Sequence, residues 1–359
     1  MAYSEVTYTN QKNNLSVTYT KAIGIILVVL AHAMCATWTT FVTIYAFHMP
    51  LFFIMSGYCF KEKYLEDAKL FTIRKLKGIY LPFVLYAMVY LLLHNFFVRH
   101  HIYAESLGIY DWKRILWDTS RITTRMSQSE QLIGLYWFIK ELVWGSFIFY
   151  AVLRLTKNSK VLTTGILLAI TLIFRLFELR IPYFTVDYIS FYAATFIAVG
   201  YWMRDWKVLF EHAWRWLVYA ICVVVVAIEV RYFGTSTLNV TMSSIMPFFF
   251  SGIAGTILVF QFSTWLTKHS SRKYRAMEYI GNHTMVILSL HLLCFKFVSY
   301  LIIEIEDLPI DRLEEFPVME DYSKMGWYLV YTIVGIGVPV LSSLGYGYVK
   351  SLIGKKHVA

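Results

Sequence analysis

The sequence predicts an all-α polytopic membrane protein of about ten transmembrane helices. Of its 359 residues, 58% are hydrophobic and only 16% are charged. The mean hydropathy is +0.55. Soluble domains carry roughly 45–50% apolar and about 25% charged residues, and a soluble chain of this length has no core large enough to hide the excess. With 18 Gly, 7 Pro and 4 Cys, disordered, collagenous and disulfide-scaffold classes are excluded.

Residues 1–20 are polar and lack the basic stretch of a secretory signal, so they are expected to form a cytoplasmic N-terminus. Spans of about 20 apolar residues are then expected at 22–39, 43–60, 79–98, 132–153, 161–179, 188–203, 214–233, 244–263, 282–303 and 326–346. They leave no room for a soluble domain, and no internal repeat is visible. The whole of 1–359 therefore reads as one integral-membrane domain, ending in a basic cytoplasmic tail, 347–359. With both termini inside, the inner segments hold 21 Lys and Arg against 8 outside, as the positive-inside rule requires. The net charge of +10 thus follows from topology and anionic lipid, and no nucleic-acid partner is expected.

Two outer loops are long. In 99–131, the stretch DWKRILWD (111–118) reads as an amphipathic interfacial segment with Trp112 and Trp117. The loop 304–325 carries eight acidic groups against two basic ones. Cys35, Cys59, Cys222 and Cys294 all fall in expected helices and read as packing residues.

Ionisable residues inside spans carry the functional signal, because burying them in lipid is costly. Lys21 and His32 are eleven residues apart, which on an α-helix is three turns plus about 20° and a rise of roughly 16 Å. They share a face, with Lys21 at the cytoplasmic edge and His32 near the middle of the span. A neutral histidine there can act as a base, and the lysine can hold an anion. The alternative is a packing histidine with a snorkelling lysine. His291, Lys140 and Glu141 fall at similar depth, and His48 lies nearer the outer surface. Arg175 with Glu178, and Glu229 with Arg231, read as ion pairs that set helix packing. Arg74, Lys75 and Lys77 cluster before the third span, suited either to phosphates or to lipid headgroups. Gly-rich phosphate loops and the HExxH, CxxC and GxSxG motifs are absent. Transfer chemistry resting on a histidine then needs a preactivated donor such as a thioester.

Lys21 and His32 resemble the Arg/Lys-x10-His pattern of the integral-membrane acyltransferase family 3. FHMPLFFIMSGYCF (47–60), GLYWFIKELVW (134–144) and IGNHTMVILSLHLL (280–293) resemble further stretches of that family in order, most of all in its fucose 4-O-acetylase-like and polysaccharide O-acyltransferase branch. Two positions depart from the pattern. Thr18 stands where many relatives have Asp, and Gly78 stands where a second arginine is expected, so Lys75 or Lys77 would have to replace it.

The resemblance implies acyl transfer from cytoplasmic acetyl-CoA or another acyl-CoA, without a metal. The acceptor would be a hydroxyl of an extracytoplasmic glycan or lipid-linked sugar, and the chain a multi-pass protein of the cell (inner or plasma) membrane. His32 would be general base or a transient acyl carrier, with Lys140, Glu141 and His291 orienting it or stabilising the oxyanion. Lys21, Arg74, Lys75 and Lys77 would hold the donor phosphates, and His48 and Trp137 are the acceptor-side candidates. A glycan or small-molecule exporter, using the same midplane His, Lys and Glu residues as a relay, is the alternative.

Overall fold

The computed structural model describes residues 2–34, 37–206, 215–269 and 274–356. Cys35, parts of the basic segments 204–215 and 264–278, and 357–359 of the tail lie outside the described residues. The main helices are α1 (Ala2–His32), α2 (Trp38–Tyr45), α3 (His48–Tyr58), α4 (Ala68–Arg99), α5 (Trp112–Arg125), α6 (Trp137–Leu155), α7 (Lys160–Leu176), α8 (Tyr188–Met203), α9 (Arg215–Tyr232), α10 (Ile245–His269), α11 (Arg275–Asn282), α12 (Thr284–Glu306) and α13 (Tyr328–Lys356). No strand occurs among the described residues beyond one isolated bridge, Ile181 with Val186.

Seven segments among the described residues are long and apolar enough to cross a membrane: Leu15–His32, Trp38–Tyr58, Ala68–Arg99, Gln131–Leu155, Ile245–His269, Thr284–Glu306 and Glu320–Tyr348. The other three expected spans form the helices α7, α8 and α9, of 17, 16 and 18 residues.

The first expected span needs correction. Helix α1 begins at Ala2 and ends at His32 instead of running over 22–39. Within it, Thr20 donates to the Ser16 carbonyl and Ser16 meets Thr267 at 3.1 Å. The chain leaves the helix at Met34, whose φ of +55° is a left-handed helix stop. His32 is therefore the last residue of its helix, not a midpoint.

The chain divides into two compact units, residues 1–41, 93–110 and 263–359, and residues 42–92 and 111–262. In the first, α1 packs with α11, α12 and α13. A Cβ on Gly335 of α13 would meet Phe295 of α12 at 2.6 Å and Val29 of α1 at 3.0 Å. A Cβ on Gly281 would lie 2.1 Å from the Thr18 carbonyl oxygen. Small residues let the helices approach this closely, as intramembrane packing favours.

In the second unit α8 packs on α3, α6 and α7. It is buried nearly all round, which suits an apolar helix with no polar face. Helices α3 and α8 cross through Gly57, which faces the Ile197 carbonyl, and Gly200, which faces the Ile54 carbonyl. The segment expected at the interface is α5, with Trp112 and Trp117 exposed and Asp118 buried beneath Arg114 and Arg121. Cys222 and Cys294 are buried, whereas Cys59 is exposed at the end of α3.

Candidate functional site

Three helices of the first unit bring its functional candidates together. The end of α1 carries His32, and α12 carries His291 one turn before Phe295. Helix α13 closes the group with Tyr331, whose ring lies 5.4 Å from that of Phe295. The His32 and His291 ring centroids are 5.5 Å apart, so two residues separated by most of the chain meet.

Each ring is oriented by its own helix. His32 Nδ1 lies 2.7 Å from the Val28 carbonyl oxygen, and His291 Nδ1 lies 2.9 Å from that of Ile287. A carbonyl oxygen only accepts, so in the neutral imidazole the hydrogen is on Nδ1 and the lone pair is on Nε2. His291 is fully buried, and its Nε2 has no hydrogen-bond partner among the described residues. A buried acceptor left open in this way needs an explanation.

Lys21 is half-buried on the same unbroken helix as His32. The eleven-residue spacing therefore holds, and the two side chains share a face with a rise of about 16 Å.

The acidic loop after α12 is fastened. Buried Lys296 donates to the carbonyls of Leu313 and Glu315 at 2.7 and 2.8 Å. The buried Tyr331 and Ser299 hydroxyls are 2.8 Å apart, and the Met319 amide donates to Tyr331 at 3.4 Å. Arg312 binds Glu315 and Asp321, which raises its already high pKa. His101 at 2.9 Å from Glu314 holds that carboxyl below the usual carboxylate range. Sequence reading missed Ser299 and Tyr331. A buried Tyr and Ser on two apolar helices have no spacing signature, and only their meeting marks them.

The remaining candidates lie in the second unit. Lys140 forms an ion pair with Glu141 at 2.9 Å and donates to the Thr185 carbonyl and hydroxyl at 3.1 Å each. Glu141 also accepts from Ser190 of α8. Buried His48 has Nδ1 2.8 Å from the Ile44 carbonyl oxygen and its ring against Tyr45. Trp137 is half-buried at the first position of α6.

Lys75 donates to Ser56 at 3.2 Å, while Arg74 and Lys77 are exposed. Here α4 contains a π-helical turn, Leu76–Tyr80, a feature that clusters at functional sites. Nothing approaches within 4 Å of where a Gly78 side chain would begin. Of the expected ion pairs, Arg175 sits 3.6 Å from Glu178. Glu229 instead accepts from the Thr235 amide at 2.9 Å. Among the described residues, no three metal-ligating side chains are grouped.

The model of the acyltransferase domain of acyltransferase family 3 matches residues 14–344, nearly the whole chain, from within α1 to within α13. No curated protein and no solved structure matches. The second unit, most of the first and the histidine pair lie within the matched residues. The chain therefore belongs to acyltransferase family 3 and, with its seven long apolar helices, is a multi-pass membrane protein with an acyltransferase domain.

Proposed function

We propose that the chain moves an acyl group, in the first instance acetyl, from cytoplasmic acyl-CoA to a hydroxyl of an extracytoplasmic glycan or lipid-linked sugar. On this reading 1–359 is one functional domain of about ten spans in the plasma membrane. Its termini are cytoplasmic, and it falls in the fucose 4-O-acetylase-like branch. The observation that carries the reading is the His32–His291 pair within a chain of the acyltransferase family.

The thioester supplies an activated acyl carbon, so the protein needs a base and charge stabilisation more than a strong nucleophile. His32 Nε2 takes the proton of the acceptor hydroxyl as that oxygen bonds the acyl carbon. It returns the proton to the departing sulfur. The Val28 carbonyl keeps the Nδ1 hydrogen and favours the transient imidazolium. His291 offers its open Nε2 to orient the hydroxyl beside His32. We assign Lys140 and Glu141 to holding α6, α8 and the loop between α7 and α8 together, because each is already matched by protein partners.

A cluster of cations fits a phosphorylated donor. Arg74 and Lys77 are exposed and three residues apart, with Lys75 behind them on Ser56. Lys21 supplies the cation on the helix of His32. His48 and Trp137 are assigned to the acceptor.

The test uses membranes containing the protein, radiolabelled acetyl-CoA and surface polysaccharide from cells lacking the gene. Label should enter the polysaccharide with wild-type protein and fall by about a thousandfold with His32→Ala at equal protein level. Unchanged transfer by His32→Ala removes His32 as the base. Polysaccharide of identical mass with and without the gene removes the glycan acceptor.

A further inference from the structure

We propose that Ser323 is a positioning residue for His32, holding the end of α1 by a side-chain cap from 290 residues away. Where the chain leaves a helix its backbone carbonyls fall outside the helical ladder and need other partners, and after α1 these belong to Ala33 and Met34, the two residues that follow His32. The Ser323 hydroxyl donates to the Ala33 carbonyl at 2.5 Å and to that of Met34 at 3.2 Å. Ser323 is fully buried, as is Ala33, so the contact cannot be exchanged for water. Met34 at φ +55° leaves the helix there, and no glycine relieves that turn.

Ser323 is itself anchored. Its amide donates to the Met319 carbonyl at 2.9 Å, and the Met319 amide donates to Tyr331, which is paired with Ser299. Lys296 fastens the same segment farther back at Leu313 and Glu315. The outer acidic loop thus ends in a hydroxyl that fixes the residue after His32. A base displaced by about 1 Å loses on the order of 10²-fold in rate, so an anchor one residue away sets whether the imidazole is in register.

The test has two arms, of which only the second rests on the reading of His32 as the base. In the first, purified full-length protein is treated with diethyl pyrocarbonate, which modifies unprotonated imidazole nitrogen. The rate at each histidine is followed by peptide mass spectrometry. Ser323→Ala should modify His32 at least threefold faster than wild type, leave exposed His100 unchanged, and return to the wild-type rate in Ser323→Thr, which keeps the hydroxyl. In the second arm, Ser323→Ala should lower kcat for acetyl transfer about tenfold to a hundredfold with the acetyl-CoA KM unchanged.

A His32 modification rate in Ser323→Ala within twofold of wild type overturns the proposal, whatever the transfer rate does. If His32→Ala keeps full transfer, the base assignment falls while the labelling arm still decides the anchor. Should Ser323→Ala fail to reach the membrane, Ser323→Cys, close in size and a weak donor, replaces it under the same criteria.

Discussion

Two buried polar pairs sit in apolar helices of this protein, one in each unit, and they are built oppositely. Lys140 and Glu141 form a closed network: ammonium to carboxylate, to the Thr185 carbonyl and to its hydroxyl, with Ser190 completing Glu141. His32 and His291 each spend one nitrogen on a helix carbonyl and keep the other lone pair, which at His291 has no partner among the described residues. A buried charge is tolerable only when paired and hydrogen-bonded, so the first pair is complete without a ligand. An open acceptor in the interior is incomplete until something binds. What differs between the two pairs is how far their hydrogen bonds are completed among the described residues.

The largest test of that contrast is His32→Ala, with its expected thousandfold loss of transfer. The closed pair should respond in stability and not in rate. Lys140→Met leaves the Glu141 charge buried and should cost about 3–5 kcal/mol, read as a lower midpoint of thermal unfolding in detergent. Transfer per folded molecule should stay within twofold of wild type. The double variant Lys140→Met with Glu141→Leu should recover most of the midpoint. A Lys140→Met protein of normal stability and lost transfer would return the pair to the chemistry.

His291→Ala should lower kcat by about tenfold to a hundredfold, since it removes an orienting acceptor and not the base. Equal losses at His291 and His32 would instead mark them as one unit. Arg74→Ala and Lys77→Ala should each raise the acetyl-CoA KM by about three- to tenfold. The effect should shrink as salt is raised, because both side chains are exposed. A donor KM that does not move removes these cations from donor binding.

The smallest effect lies outside the spans. His101 lowers the Glu314 pKa in the folded protein, so the contact contributes stability that is fully present above the ordinary carboxylate pKa of about 4.3. It is lost as pH falls through the depressed folded value. The stability difference between wild type and Glu314→Gln should therefore shrink as pH falls below about 5 and vanish toward pH 3. A difference that persists unchanged at pH 3 would show that the carboxylate charge is not what joins the segments that carry His101 and Glu314.

Much of the candidate site was legible because its residues contradict their surroundings. Lys21, His32, Lys140, Glu141 and His291 stand out from apolar stretches, and the helix between Lys21 and His32 gives their common face directly. The end of α1 was not legible. LVVLAHAMCATW stays apolar across the boundary, so hydropathy runs the span on to 39, whereas Met34 turns out of the helix and a distant hydroxyl takes the freed carbonyls. The fastening of the acidic loop was not legible for a related reason. Its charge reads as solvation, while its backbone carbonyls, invisible to composition, are claimed by a buried lysine.

The sequence by itself determined that this is a helical membrane protein, which residues are too polar for their places, and the family it resembles. Burial in lipid is an average over many side chains, and a few exceptions stand out against that average. Only the tertiary structure decided that His32 ends its helix, that His291 meets it, that Lys140 and Glu141 close on their own neighbours, and that Ser323 reaches the carbonyl after His32. Those outcomes depend on single hydrogen bonds between residues as much as 290 positions apart, and no local pattern encodes such a pairing.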